Sequence, residues 1–316
     1  MYTVLKLLRE MVYVKKEIDK YNWELDDKTQ NIYDNLCVQI EKVFRHCNQG
    51  SYKTRERYED GVKNFAKFMA DAFKKQNLNN IKPKHLHAYT EFMQDRGYST
   101  SYVTTNLSSI RFFYDQLGGD SSKLPDNNKL GVISRNKEER IGENKAWSPI
   151  EIEAFIKYAS DVGQVIYGDM VRLSSQMGLR IHEVCKIDKN HLRQALQEGK
   201  ICIKGKGGLV RDVPVRDKTL IQKLYNDTKR GNKVFIREGE QPHKVIKNIQ
   251  MFIYNNQDKF ALDRDKQLTF HGLRHFYCQN RYKELIRGGL TDLQARKIVS
   301  RELGHYRISI TEIYLN

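Results

Sequence analysis

The sequence predicts a mainly α protein with one small β-sheet, divided into two domains. Its 316 residues leave room for two hydrophobic cores. Apolar residues recur at helical spacing along most of the chain, and only the stretch from Ile201 to Val215 alternates apolar and polar residues. Between the two helical regions lies a passage rich in Gly, Ser, Asp and Asn.

Residues 1–49 read as an N-terminal helical extension, with Val4, Leu7, Leu8 and Met11 on one face. Such a stripe is ordinary packing surface and implies no function. Residues 50–118 read as a small helical domain. Tyr58, Val62, Phe65, Met69 and Phe73 share one face of its first helix, while Lys53, Arg55, Arg57, Lys63 and Lys67 occupy much of the rest. A second helix follows Lys82-Pro83 through His87, Tyr89 and Phe92, and a third carries Val103, Leu107, Ile110 and Phe113.

Residues 119–145, with Pro125-Asp126-Asn127-Asn128 at their centre, read as a linker. The second domain, 146–316, is announced by Trp147-Ser148-Pro149-Ile150-Glu151. Ser148 suits an N-cap, Pro149 the first helical position, and Glu151 completes a capping box. Helices through Ala154–Tyr158 and Val165–Met177 precede a hairpin whose turn is Gly207-Gly208, a pair that accepts positive φ. Asp188 to Glu198, just before the hairpin, has a helical pattern.

Lys and Arg number 55 against 39 Asp and Glu, giving a net charge of +16 and a pI near 9.5. A chain this basic meets polyanions, and nucleic acid precedes a membrane surface among them. No run of 18 apolar residues exists, and Lys6 and Arg9 interrupt the N-terminal apolar stretch, which argues against a secretory leader. The five cysteines are scattered without CxxC spacing, as in a reduced cytoplasmic protein, and suggest neither a disulfide frame nor a zinc site. Walker and EF-hand patterns are absent as well.

Four motifs carry chemistry, each weak alone. In Gly178-Leu179-Arg180-Ile181-His182-Glu183, Gly178 can end one helix and Arg180 open the next. Gly205-Lys206-Gly207-Gly208 sets a lysine beside a turn where backbone can approach a ligand closely. His271-Gly272-Leu273-Arg274-His275 places His271 and Arg274 three apart at a helix start, so both can converge on one anion. Leu303-Gly304-His305 is followed nine residues later by Tyr314, one of 18 tyrosines.

Taken together, their order and spacing resemble the active site of the tyrosine recombinase, or phage integrase, family. The resemblance covers residues 146–316, and residues 51–117 are less specifically similar to that family's SAM-like core-binding domain. It implies an all-α core-binding domain joined to an α+β catalytic domain, closing as a clamp on a DNA duplex. It also implies site residues. Arg180 and Arg274 match the two arginines that clamp the scissile phosphate, a task suited to planar guanidinium forks. Lys206 matches the hairpin lysine that protonates the departing 5′ oxygen. His271 and His305 match the two histidine positions, either of which can take the tyrosine proton. Glu183 matches a supporting acid. Tyr314 matches the nucleophile, whose phenol, with a free pKa near ~10, needs positive charge and a proton acceptor.

The implied reaction is strand exchange through a 3′-phosphotyrosyl intermediate, with no cofactor or metal. The implied partners are double-stranded recombination sites, three further copies of the chain in a synaptic tetramer, and accessory DNA-bending proteins, in a prokaryotic cytoplasm. Lys53, Arg55, Arg57, Lys63, Lys82, Lys84 and Arg111 are the expected DNA contacts of the helical domain. Only Leu315 and Asn316 follow Tyr314, whereas family members continue with a tail that docks on a neighbour, so the coupling of protomers stays open. A type IB topoisomerase, which reseals the same strand, and a non-catalytic DNA-binding protein of the same fold are the alternatives.

Overall fold

The computed structural model describes residues 23–50, 52–133, 144–205, 208–262, 267–305 and 308–315. The chain falls into two compact units, divided between Arg135 and Asn136.

The first unit is built from α1 (Asp27–Arg45), α2 (Tyr52–Phe73), α3 (Pro83–Asp95) and α4 (Thr100–Gln116). The starts follow local chemistry. Asp26 accepts from the Thr29 N–H at 2.9 Å, Ser99 caps α4 by accepting from Tyr102, and Pro83 occupies the first turn of α3. The expected face of α2 points inward: Val62, Phe65 and Met69 are buried, with Tyr58 and Phe73 packed beside them. Phe65, Phe68, Tyr89 and Phe92 form an aromatic cluster with ring centroids 4.9–6.2 Å apart.

Two expected boundaries move. Leu36, Ile40 and Phe44 of α1 belong to this core, so the second half of the expected N-terminal extension is part of the helical unit. The start of the expected linker packs there too, because Leu124, Leu130 and Val132 are apolar enough to be drawn into the cluster. Arg111 fastens that segment by donating to the Pro125 carbonyl at 2.7 Å and to Asn127 at 2.9 Å. The Val4–Met11 stripe and residues 134–143 lie outside the described residues.

The second unit opens with α5 (Pro149–Asp161), where the capping box forms: the Ser148 N–H donates to Glu151 Oε2 at 2.7 Å and Ser148 Oγ accepts from the Glu151 N–H. Then come α6 (Val165–Met177), the single turn α7 (Ile181–Val184) and α8 (Lys189–Glu198), which Asp188 caps. Strands β1 (Lys200–Lys204) and β2 (Val210–Pro214) pair antiparallel, Ile201 opposite Val213 and Ile203 opposite Arg211. An isolated hairpin is marginal in water; this one is held because Ile201, Ile203 and Val213 enter the unit's core. The chain continues through α9 (Lys218–Asp227), α10 (Pro242–Asn255), α11 (Gly272–Arg287), α12 (Asp292–Leu303) and α13 (Ile308–Glu312).

Trp147 joins the domain's first residues to the approach of α11. It is buried, stacks on Phe260 at 5.7 Å, and donates its indole N–H to the Thr269 carbonyl at 2.8 Å. His271 therefore starts α11 from a fixed position. Among the described residues, no helix is long and apolar enough to cross a membrane, and no cluster of His, Cys, Asp or Glu is placed to hold a metal ion.

Candidate active site

The site assembles where the ends of α6, α11 and α12 meet. Gly178 ends α6 at φ 61°, and a Cβ there would stand 2.4 Å from Tyr277 and 2.9 Å from Leu303. Only glycine accepts both the left-handed backbone and that closeness. The turn it makes delivers Arg180 to the start of α7. There the Arg180 N–H donates to Glu183 Oε2 at 2.8 Å and its Nη1 to Oε1 at 3.0 Å.

Arg274, three residues into α11, is completely buried. Its guanidinium donates to the carbonyls of Gly178 and Leu303 and to His305 Nε2, the last at 3.0 Å. One side chain thus fastens the turn before Arg180 to the turn before His305. Burial and then the charge of Arg180 push the Arg274 pKa down to about 10, so it stays cationic at neutral pH. Since a guanidinium cannot accept, His305 must accept at Nε2 and carry its proton on Nδ1.

Tyr314 is 8% exposed and sits among three imidazoles. Its hydroxyl lies 3.0 Å from His271 Nε2. Its ring stacks on His275 at 4.2 Å and 25°, with His305 on another side at 5.0 Å. All three imidazoles are kept neutral. Burial first, then the charges of Arg274 and Arg180, lower His271 to about 4 and His305 to about 3. Burial, with His271 and Lys145, lowers His275 to about 3. A neutral His271 with its proton on Nδ1 can accept the phenol proton.

Arg274 Nε, His275 Nδ1 and His305 Nδ1 are buried with no hydrogen-bond partner among the described residues. Two of these, Arg274 Nε and His305 Nδ1, are donors, and an unmet buried donor costs about 1–3 kcal/mol. Arg180, whose side chain keeps 24% of its exposure, is the arginine that reaches solvent.

The structure thus brings Arg180, Glu183, His271, Arg274, His305 and Tyr314 together. Lys206 lies outside the described residues; its neighbour Gly205 donates its N–H to the Leu209 carbonyl at 2.7 Å. Two residues that the motifs did not assign stand in the site. Arg211 of β2 is buried and grips Glu183 with two hydrogen bonds, and His275 stacks on the expected nucleophile. In the helical unit, Lys53, Arg57, Lys82 and Lys84 are exposed. Arg55 donates to the Cys47 carbonyl, Lys63 pairs with Glu41 and Glu59, and Arg111 is spent on the segment after α4.

Residues 148–316 match the model of the phage integrase family, and residues 39–123 match that of the phage integrase N-terminal SAM-like domain. The chain therefore belongs to the phage integrase family, the tyrosine-type site-specific DNA recombinases. It is 24% identical over 296 residues to a tyrosine recombinase of Thermosipho africanus, covering 90% of this chain and 95% of that protein. It is 24% identical over 283 residues to tyrosine recombinase XerC of Natranaerobius thermophilus, covering 84% and 88%. In fold it is similar to the Tn1549 transposon integrase in complex with a circular intermediate DNA, with TM-score 0.62, 16% identity, and coverage of 89% of this chain and 94% of that one. It is likewise similar to a lambda integrase dimer bound to a core site, with TM-score 0.62, 13% identity, and coverage of 96% and 85%.

Proposed function

We propose that this recombinase cuts and rejoins DNA with Tyr314 as nucleophile. The Tyr314 oxygen bonds to the scissile phosphorus, the bond from phosphorus to the 5′ oxygen breaks, and a 3′-phosphotyrosyl link results. The phenol proton passes to His271 Nε2. The 5′ oxygen leaves as a hydroxyl on a proton from Lys206, the lysine of the hairpin turn. Arg180 and Arg274 hold the non-bridging oxygens and offset the charge that builds on them. A 5′-hydroxyl from a second duplex then reverses the step, so the phosphodiester energy is kept and no nucleotide cofactor is needed.

The observation that carries this reading is the 3.0 Å contact between the Tyr314 hydroxyl and His271 Nε2, set beside a buried arginine. It joins a nucleophile, a base and an anion holder at one point. The solved relatives with bound DNA support duplex DNA as the partner. We further propose that strand exchange runs in a tetramer on two sites, in the cytoplasm, with DNA-bending proteins assisting.

A nicked duplex carrying the recombination site, which loses its 5′ fragment after cleavage, traps the covalent adduct. Wild-type protein gives a DNA-linked band on a denaturing gel, and Tyr314→Phe gives none while binding DNA equally well. A Tyr314→Phe adduct, or no wild-type adduct, overturns the assignment.

A further inference from the structure

Glu183 presents a problem of charge. A carboxylate bonded to Arg180 orients it, yet also cancels the charge that a phosphate needs. A lone Arg180–Glu183 pair would be well placed and electrostatically weak.

The structure holds a second cation in the right position. Arg211 Nη1 and Nη2 donate to Glu183 Oε1 and Oε2 at 3.0 and 2.8 Å, a two-pronged match of guanidinium to carboxylate. Both groups are out of solvent, with side-chain exposures of 3% and 0%. Neighbouring backbone closes over the pair. A Cβ on Gly205 would stand 3.2 Å from both Arg211 Nη1 and Glu183 Oε1, and one on Gly304 would stand 3.0 Å from Arg211 Cδ. Arg211 Nε also donates to the Glu302 carbonyl at 2.7 Å, at the end of the helix that leads to His305.

We propose that Arg211 is a positioning residue that supplies the countercharge of Glu183, so that Glu183 orients Arg180 without neutralising it. Glu183 accepts four hydrogen bonds, two from Arg211 and two from Arg180, and its lone pairs are filled. Burial alone would raise its pKa; Arg211 first, then Arg180, hold it down at about 2, so the carboxylate is always ionised. Three guanidinium groups against one carboxylate leave a surplus of two positive charges where the histidines are neutral. A pentacoordinate phosphorane carries two negative charges. The pairing of Arg211 with Glu183 leaves that surplus on Arg180 and Arg274, the two groups assigned to the phosphate in the proposed reaction.

The inference rests on the tyrosine-nucleophile reading and is tested on the same nicked duplex, in single turnover at saturating DNA. Arg211→Met should slow adduct formation by about 100-fold. If the defect is one of uncompensated charge, removing the other charge relieves it. Arg211→Met/Glu183→Gln should return to within about tenfold of wild type, a strong departure from additivity. A methylphosphonate at the scissile position, one negative charge poorer, should shrink the Arg211→Met defect in the same way. A merely structural Arg211 predicts neither recovery. Should Arg211→Met fail to fold, the double variant, which buries no unpaired charge, carries the test: a rate as low as that of Arg180→Ala overturns the proposal. So does an Arg211→Met rate equal to wild type. Absence of a wild-type adduct instead overturns the nucleophile assignment itself.

Discussion

Among the described residues of the helical unit, the buried polar side chains are Thr29, His85, Thr90, Asn106 and Ser109, and burial keeps His85 neutral by lowering its pKa to about 4. The catalytic unit buries Glu151, Glu183, Arg211, Arg274 and Glu302 instead. Taking an ion out of water costs several kcal/mol, offset only by close countercharges and hydrogen bonds. The helical unit avoids that cost with an aromatic core, and keeps Lys53, Arg57, Lys82 and Lys84 exposed. The catalytic unit accepts the cost and uses the resulting rigid charges to hold Arg180 and His305 in register. One unit is organised to stay folded, the other to stay charged in fixed positions.

The largest expected effect breaks the two units apart experimentally. Arg274→Ala should lower single-turnover cleavage by about 10²–10³-fold. It should also destabilise the catalytic unit, because the Gly178 and Leu303 carbonyls lose their donor, at about 1–3 kcal/mol for each buried group left unmet. Phe65→Ala in the helical unit should cost about 3–5 kcal/mol of stability, with the cleavage rate of DNA-saturated, folded protein unchanged. Denaturant unfolding and adduct formation measure the two effects separately. A more stable Arg274→Ala protein would mean that the buried charges are poorly matched, and the contrast would fail.

A smaller effect concerns acid. Unfolded imidazoles titrate near 6.5, whereas His271 sits at about 4 and His275 and His305 at about 3. The unfolded chain therefore binds more protons between those values. The stability these histidines contribute is complete above pH 6.5 and is lost as pH falls towards 4 and 3. In the helical unit, burial lowers His85 in the same direction, to about 4. The chain has two tryptophans, Trp23 in the first unit and Trp147 in the second, so fluorescence can separate them. Denaturation followed in a Trp23→Phe protein should show a steeper loss below pH 6.5 than in a Trp147→Phe protein. Bound DNA should blunt that loss, since a phosphate offsets the arginine charge that opposes protonation. Equal slopes would remove this part of the contrast.

What the sequence made legible follows from range. The periodicity of the helices from Asp27 onward, the Ser148–Glu151 box and the alternation along β1 and β2 are local patterns, and each has a counterpart among the described residues. The pairing of Glu183 with Arg211 spans 28 residues and leaves no local trace. One signal was present: Arg211 is two residues before the buried Val213, so a charge stood on the inward face of β2. His275 follows Arg274 directly, and only the return of Tyr314 from beyond α12 gives it a partner to stack on. Leu124, Leu130 and Val132 lie among turn-forming residues, which masked their inclusion in the first core. Surface exposure was the least legible property of all, because a lysine at helical spacing looks the same whether it is paired or available.

That last difficulty gives the smallest prediction and the finest division within the helical unit. Lys84 is exposed in the first turn of α3, whereas Lys63 contacts Glu41 at 2.8 Å and Glu59 at 2.9 Å. A lysine that meets a phosphate releases a counterion, so Lys84→Ala should flatten the slope of log affinity against log salt by about 0.9. Lys63→Ala removes a charge already balanced within the unit and should leave that slope nearly unchanged. Arg111→Ala should affect stability more than affinity, because its donors hold the Pro125 and Asn127 segment against the core. Salt titrations of DNA binding by the three variants decide the matter. Equal slope changes for Lys63 and Lys84 would mean that the internal ion pairs open on DNA, and that the helical unit holds its surface charge less firmly than the catalytic unit holds its buried charge.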